Sequence, residues 1–185
     1  IKAACYLDSL WMEPITVYVG VSASGVGGFD AVRARNGKLW ALTCEESPER
    51  TVLYFDGYAW SDTLTLPGLV TGCSGFHLAA DSIGKVWATF NGFEDWRIWC
   101  DVCEDTIWTG PYLVCSYPTY EQVGGARITV DPAGIRWVGA ATLSLPAAQI
   151  FLSHSDSTGA WSDSLIMGPT GYVWLGDVVS DGYGN

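Results

Sequence analysis

Histidine is nearly absent from this chain, with two in 185 residues, and lysine and arginine together number nine. With so few histidines, the His-Glu-x-x-His zinc pattern does not occur. Against twenty Asp and Glu, the few cations leave a formal charge of −11. Such a surface repels phosphate backbones and excludes nucleic acid as the expected partner. Polar and charged residues break every apolar stretch, so no membrane-spanning segment is expected. There is no phosphate loop and no Asn-x-Ser/Thr site for an N-linked glycan. The stretch "GVSASG" at 20–25 fails as a nucleophile elbow because Ser24 stands where glycine is required. The chain opens "IKAACYLDSL", without an initiator methionine, which suggests a processed mature form or an excised fragment.

What is abundant is glycine, with 22 residues, and tryptophan, with ten. Valine, threonine and tyrosine are also common, and no segment keeps a 3.6-residue apolar period. The composition predicts short strands joined by tight turns, with almost no helix. Gly-rich "SASGVGG" at 22–28 reads as a connection between strands or blades. Six cysteines (Cys5, Cys44, Cys73, Cys100, Cys103 and Cys115) suit a disulfide framework in an oxidising compartment. Buried thiols are the second reading. The lone C-x-x-C at 100–103 has neither the second pair of a zinc site nor the βαβ context of a redox motif.

The tryptophans recur in order. "ARNGKLWALT", "DSIGKVWATF", "DPAGIRWVGA" and "GPTGYVWLGD" each hold Gly-x-x-Trp, at Trp40, Trp87, Trp137 and Trp174, spaced 47, 50 and 37 residues apart. A second series, Trp60, Trp108 and Trp161, follows the first three by 20, 21 and 24 residues. Asp56, Asp105 and Asp156 stand shortly before it, placed to bond the backbone of a hairpin turn. A period of 40–50 residues with four strands per unit is that of propeller blades. "CYLDSLW" (Cys5 to Trp11) matches "LYFDGYAW" (Leu53 to Trp60), so the chain starts with the second half of a unit and ends with a first half. Joined end to end, the termini separate Trp174 from Trp11 by 22 residues, within the range of the intact units. From a second-series Trp to the next first-series Trp the steps are 29, 27 and 29, but the last, from Trp161 to Trp174, is 13. "WSDSLIM" there must serve where "WSDTLTLPGLVTGCSGFHLAAD" offers two strands, so the last blade is expected to be incomplete.

The phrase resembles the two-component-regulator type of propeller blade, Asp-x-x-Gly-x-x-Trp-x-Gly. Asp131, Gly134, Trp137 and Gly139 fit it fully. Asp81, Gly84 and Trp87 fit up to Thr89, while Gly171, Trp174 and Gly176 lack only the Asp, replaced by Gly168. Gly37 and Trp40 are flanked by Ala34 and Leu42. The resemblance implies an all-β propeller of about four blades in one domain. Residues 1–28 form a half blade, 29–73, 74–124 and 125–166 form blades, and 167–185 form the half that shares a blade with the N-terminus. The tryptophans are expected to pack between blades rather than to stack on a ligand.

No residue is assigned a catalytic, cofactor-binding or metal-binding role, and no cofactor is expected. Ser153, His154 and Asp156 lie too close in sequence for a triad and read as a polar hairpin. His77 stands before a strand-like run. The carboxylates at 45–46, 94–95 and 104–105, with Asp177 and Asp181, read as solvated surface. The expected function is a non-catalytic extracellular or periplasmic propeller, a structural or recognition module. Its partner is a second copy, through head-to-tail pairing at the split blade, or another protein or glycan. The alternatives are a carbohydrate-active enzyme, which requires paired carboxylates at the channel mouth, and a ligand-sensing propeller cut from a larger protein.

Overall fold

A computed structural model describes residues 2–3, 6–7, 10–11, 15–16, 26–45, 50–67, 73–92, 97–116, 125–141, 149–156, 158–162, 165–167 and 177–180. Among them every regular element is a strand. None is a helix long and apolar enough to cross a membrane. The N-terminal region holds four two-residue strands: β1 (Lys2–Ala3), β2 (Tyr6–Leu7), β3 (Leu10–Trp11) and β4 (Ile15–Thr16). β2 pairs antiparallel with β3, setting Tyr6 opposite Trp11, and β1 pairs with β4.

Three four-stranded antiparallel sheets follow, each with its strands adjacent in chain order. The first holds β5 (Val26–Arg33), β6 (Leu39–Glu45), β7 (Arg50–Phe55) and β8 (Leu64–Thr65). The second holds β9 (Cys73–Ala80), β10 (Val86–Gly92), β11 (Arg97–Glu104) and β12 (Ile107–Ser116). The third holds β13 (Arg127–Val130), β14 (Arg136–Ala141), β15 (Ile150–His154) and β16 (Leu165–Met167). "WSDTLTLPGLVTGCSGFHLAAD" supplies two strands, β8 and β9, whereas "WSDSLIM" supplies one, β16. Val26–Gly28 of the Gly-rich stretch join β5 and are not a connection, because a bulge between Val26 and Gly28 accommodates the glycines within the ladder. Trp174 and its Gly-x-x-Trp phrase lie outside the described residues.

The Gly-x-x-Trp phrase makes the first hairpin of each sheet. Gly37, Gly84 and Gly134 have φ of 86°, 98° and 83° and close three-residue turns, which demand a left-handed residue at that point. Asp81 Oδ1 accepts from the amides of Ile83 and Lys85, and Asp131 Oδ1 accepts from that of Ile135. Where Ala34 replaces the Asp, Asn36 inside the loop accepts from Lys38. The second hairpins place Trp60, Trp108 and Trp161 opposite Phe55, Cys103 and Ser155. Asp56 and Asp156 bond their turn amides as expected. Asp105 instead enters the turn itself, with φ of 60°.

The sheets stack through their faces, and their first strands lie side by side, β5 beside β9 beside β13. Side chains alternate across a strand, so the second sheet feeds two cores. Phe76, Leu78, Ala88 and Phe90 meet Trp40, Leu42 and Val52 of the first sheet. Ala79, Ile98, Cys100 and Val114 meet Ile128, Val138 and Ala140 of the third. Trp40, 1% exposed, stands edge-on to Trp108 across the first interface, at 5.7 Å between ring centroids. Each such aromatic buries enough apolar surface to contribute about 1.5–3 kcal/mol.

Candidate functional site

Two places gather chemically capable side chains. The first is where the first strands of the three sheets, β5, β9 and β13, lie side by side. Asp30, His77 and Arg127 hold one register position, opposite Leu42, Thr89 and Gly139, each two residues past its tryptophan. His77, which sequence reading set before a strand, lies within β9. Its Nε2 is 3.8 Å from both Asp30 Oδ2 and Asp177 Oδ1. Its Nδ1 is 3.2 Å from the carbonyl oxygen of Ile128 on β13. Asp30 Oδ2 also accepts from the amide of Leu78. Gly75 and Gly125 let β9 and β13 touch here, since a methyl on Gly75 would collide with the Gly125 backbone. Asp177, read from sequence as solvated surface, is exposed as expected, with its carboxylate facing His77.

The second place is the interface between the second and third sheets, around Arg136. Its register partner is Val130; the matching residues of the other sheets are Leu39 opposite Arg33 and Val86 opposite Ala80. An apolar position has become a cation. Its guanidinium carbon lies 4.5 Å from the ring centre of Trp87, on the neighbouring sheet, and 5.8 Å from that of Trp161. The backbone is fixed by Ser155, whose Oγ accepts from Arg136 N at 3.1 Å and whose N donates to Arg136 O at 2.9 Å. Arg136 Nε is buried with no hydrogen-bond partner among the described residues. Burial lowers the guanidinium's pKa, while Cys100, Asp156 and Asp81 act in the opposite sense. Among the described residues the turn bonds of Asp81 and of Asp156 fall on Oδ1.

Other candidates do not assemble. His154 Nδ1 is 3.0 Å from Ser162 Oγ, while Ser153 Oγ donates to the Ser162 carbonyl and Asp156 serves its own turn. Ser153, His154 and Asp156 therefore form no triad. Cys100 and Cys103 are buried thiols facing opposite cores, as a spacing of three on a strand requires, so they neither pair nor chelate. Burial pushes the Cys100 thiol up and raises the Cys103 thiol to about 12. Cys115 is also a thiol, and the side chains of Cys5, Cys44 and Cys73 lie outside the described residues. Among the described residues no group of three or more His, Cys, Asp or Glu is placed to hold a metal ion.

Sequence reading missed Arg136 and the trio Asp30, His77 and Arg127 at one register position of the three first strands. The signal for Arg136 was a charged residue directly before a repeat tryptophan, where Leu39 and Val86 stand elsewhere. The signal for the trio was Gly-Phe-Asp, Gly-Phe-His and Gly-Ala-Arg, each ending ten residues before its tryptophan.

No family model matches the chain, and no curated protein is similar to it. Among solved structures it is similar to AofleA from Arthrobotrys oligospora, with a TM-score of 0.53 and 16% identity over 74% of this chain and 40% of that one. A triple arginine-to-alanine variant of AofleA gives 0.52 and 17% over the same shares. The chain therefore matches well under half the length of these neighbours, and the likeness is one of fold.

Proposed function

We propose that the three sheets are successive blades of a β-propeller of the two-component-regulator type, and that the protein is a non-catalytic recognition module. In this reading the two end segments of the chain contribute to a further, split blade. The ligand is a glycan, held at the seam between the second and third sheets. The observation that carries the reading is Arg136, a half-buried cation at a position held by Leu39 and Val86 in the other sheets, set against two aromatic rings with its Nε unpartnered among the described residues. A desolvated guanidinium with an unmatched donor costs stability, and such departures from local packing rules concentrate at functional sites. Its donors suit sugar hydroxyl oxygens, and the carboxylates of Asp81 and Asp156 suit sugar hydroxyl hydrogens. Extracellular or periplasmic placement belongs to the same proposal. Binding to a panel of immobilised oligosaccharides tests it. The native protein should retain a subset of them, and Arg136→Ala should lose that binding at least tenfold while keeping its far-UV spectrum. Unchanged binding by the variant would remove the site.

A further inference from the structure

We infer that His77 is a proton-operated clasp: acidification charges its ring and fastens residues 177–180 to the place where β5, β9 and β13 lie side by side. The ring stands among groups from three other parts of the chain. Nε2 is 3.8 Å from Asp30 Oδ2 on β5 and 3.8 Å from Asp177 Oδ1. Nδ1 is 3.2 Å from the carbonyl oxygen of Ile128 on β13 and 3.4 Å from the amide nitrogen of the same residue. At 3.8 Å neither carboxylate makes a hydrogen bond with the ring, so the attraction is that of an ion pair and needs a charged imidazole.

The partners make different demands on the ring. A neutral imidazole carries a single N–H. With that hydrogen on Nδ1 the ring donates to the Ile128 carbonyl but turns a lone pair toward two carboxylates. With it on Nε2, the Nδ1 lone pair faces the carbonyl oxygen and accepts only the longer contact from the Ile128 amide. The doubly protonated ring has a donor for each side, and its charge offsets the repulsion between the two carboxylates. The other charged group at this register position is Arg127 on β13, one of whose donors goes to the Ala126 carbonyl. Thr89 of β10 and Leu42 of β6, opposite His77 and Asp30, are uncharged. Among the described residues the ring therefore meets two carboxylates against one guanidinium. Asp30 is tied to β9 in either state through the Leu78 amide. Asp177 has no such tie, its other bond being to the amide of Val178 beside it. The part that the clasp holds or releases is thus the 177–180 segment.

Solution NMR of the isotope-labelled chain tests this between about pH 8 and about pH 5, the range in which an imidazole changes charge. The amides of 177–180 should shift along one transition together with the His77 ring protons. Their proton–nitrogen heteronuclear NOE should rise on the acid side, as the segment stiffens. In His77→Gln both responses should be lost. In Asp177→Asn the His77 ring should still titrate while the NOE rise is lost. Asp177 is exposed, so this second variant carries the test even if the first fails to fold. The other histidine, His154 on β15, is the internal reference. A native segment whose NOE does not change with pH overturns the inference. So does a rise that survives either substitution, or one that follows the His154 ring instead.

Discussion

At Gly75 two requirements coincide: φ is 65°, and the missing side chain is where the Gly125 backbone passes. Gly75→Ala therefore incurs left-handed strain, about 1–3 kcal/mol, and also pushes β9 away from the Gly125 backbone, which has no flexible side-chain tip to yield. Gly37 has φ of 86° but nothing within 4 Å of a built methyl, so Gly37→Ala should incur the strain alone. Denaturant melts of the two variants should rank Gly75→Ala as clearly the more damaging, and equal midpoints would contradict the contact. The cysteines give a chemical prediction. Burial raises the Cys103 thiol to about 12, so the folded state holds its proton where the unfolded chain, near 9, has lost it. This contribution to stability is complete below the unfolded value and is lost as pH rises toward the folded one. Mass-mapped alkylation near neutral pH should leave Cys100 and Cys103 unlabelled in the native protein and label both in denaturant.

Among the hairpins, Asp131 and Asp81 do the same task at different depths. Asp131 is 4% exposed, and its Oδ2 accepts from Trp137 Nε1 at 3.3 Å in addition to the turn amide. Asp81 serves two turn amides at a more open site. Asp131→Ala should cost roughly 2–3 kcal/mol and Asp81→Ala about 1, because a bond to a charged acceptor is the stronger kind and its loss inside strands two polar groups. Thermal melts of the pair check the order. Asp156 and Asp56 are held below the ordinary carboxylate range, Asp156 first by the Thr158 hydroxyl and Asp56 first by the Ala59 amide. Their hairpins are thus at full strength above the ordinary carboxylate value and loosen as pH falls through the lowered ones. These turns were legible in the sequence because glycine and aspartate act on their immediate neighbours. Asp105 was not, since either carboxylate bonding or a left-handed backbone satisfies that position. The short N-terminal pairing of Tyr6 with Trp11 follows the Phe55 and Trp60 pattern that the two phrases share.

For the whole molecule, counting tryptophans located the second strand of each described sheet and an all-β architecture. It did not reveal which side chains the sheets bring together. Alternation on a strand fixes the face, but the partner on that face belongs to a sheet nearly fifty residues away. His77 therefore read as a lone residue, although Asp30 stands 47 positions before it and Asp177 a hundred after. Arg136 read as one letter of a repeat, although Trp87 and Trp161 flank it in space. Truncating Trp40, whose ring joins two sheets, should cost about 3–5 kcal/mol and broaden the unfolding transition by uncoupling them, which calorimetry checks. The proposed sugar contact is Arg136, at the seam between the second and third sheets. The direct measurement is oligosaccharide-array binding by the native protein and by Arg136→Ala at matched folded concentration. A discrete set of glycans bound by the native chain and lost by the variant is the result expected. Binding that survives the substitution, or a native chain that retains no glycan, would contradict it.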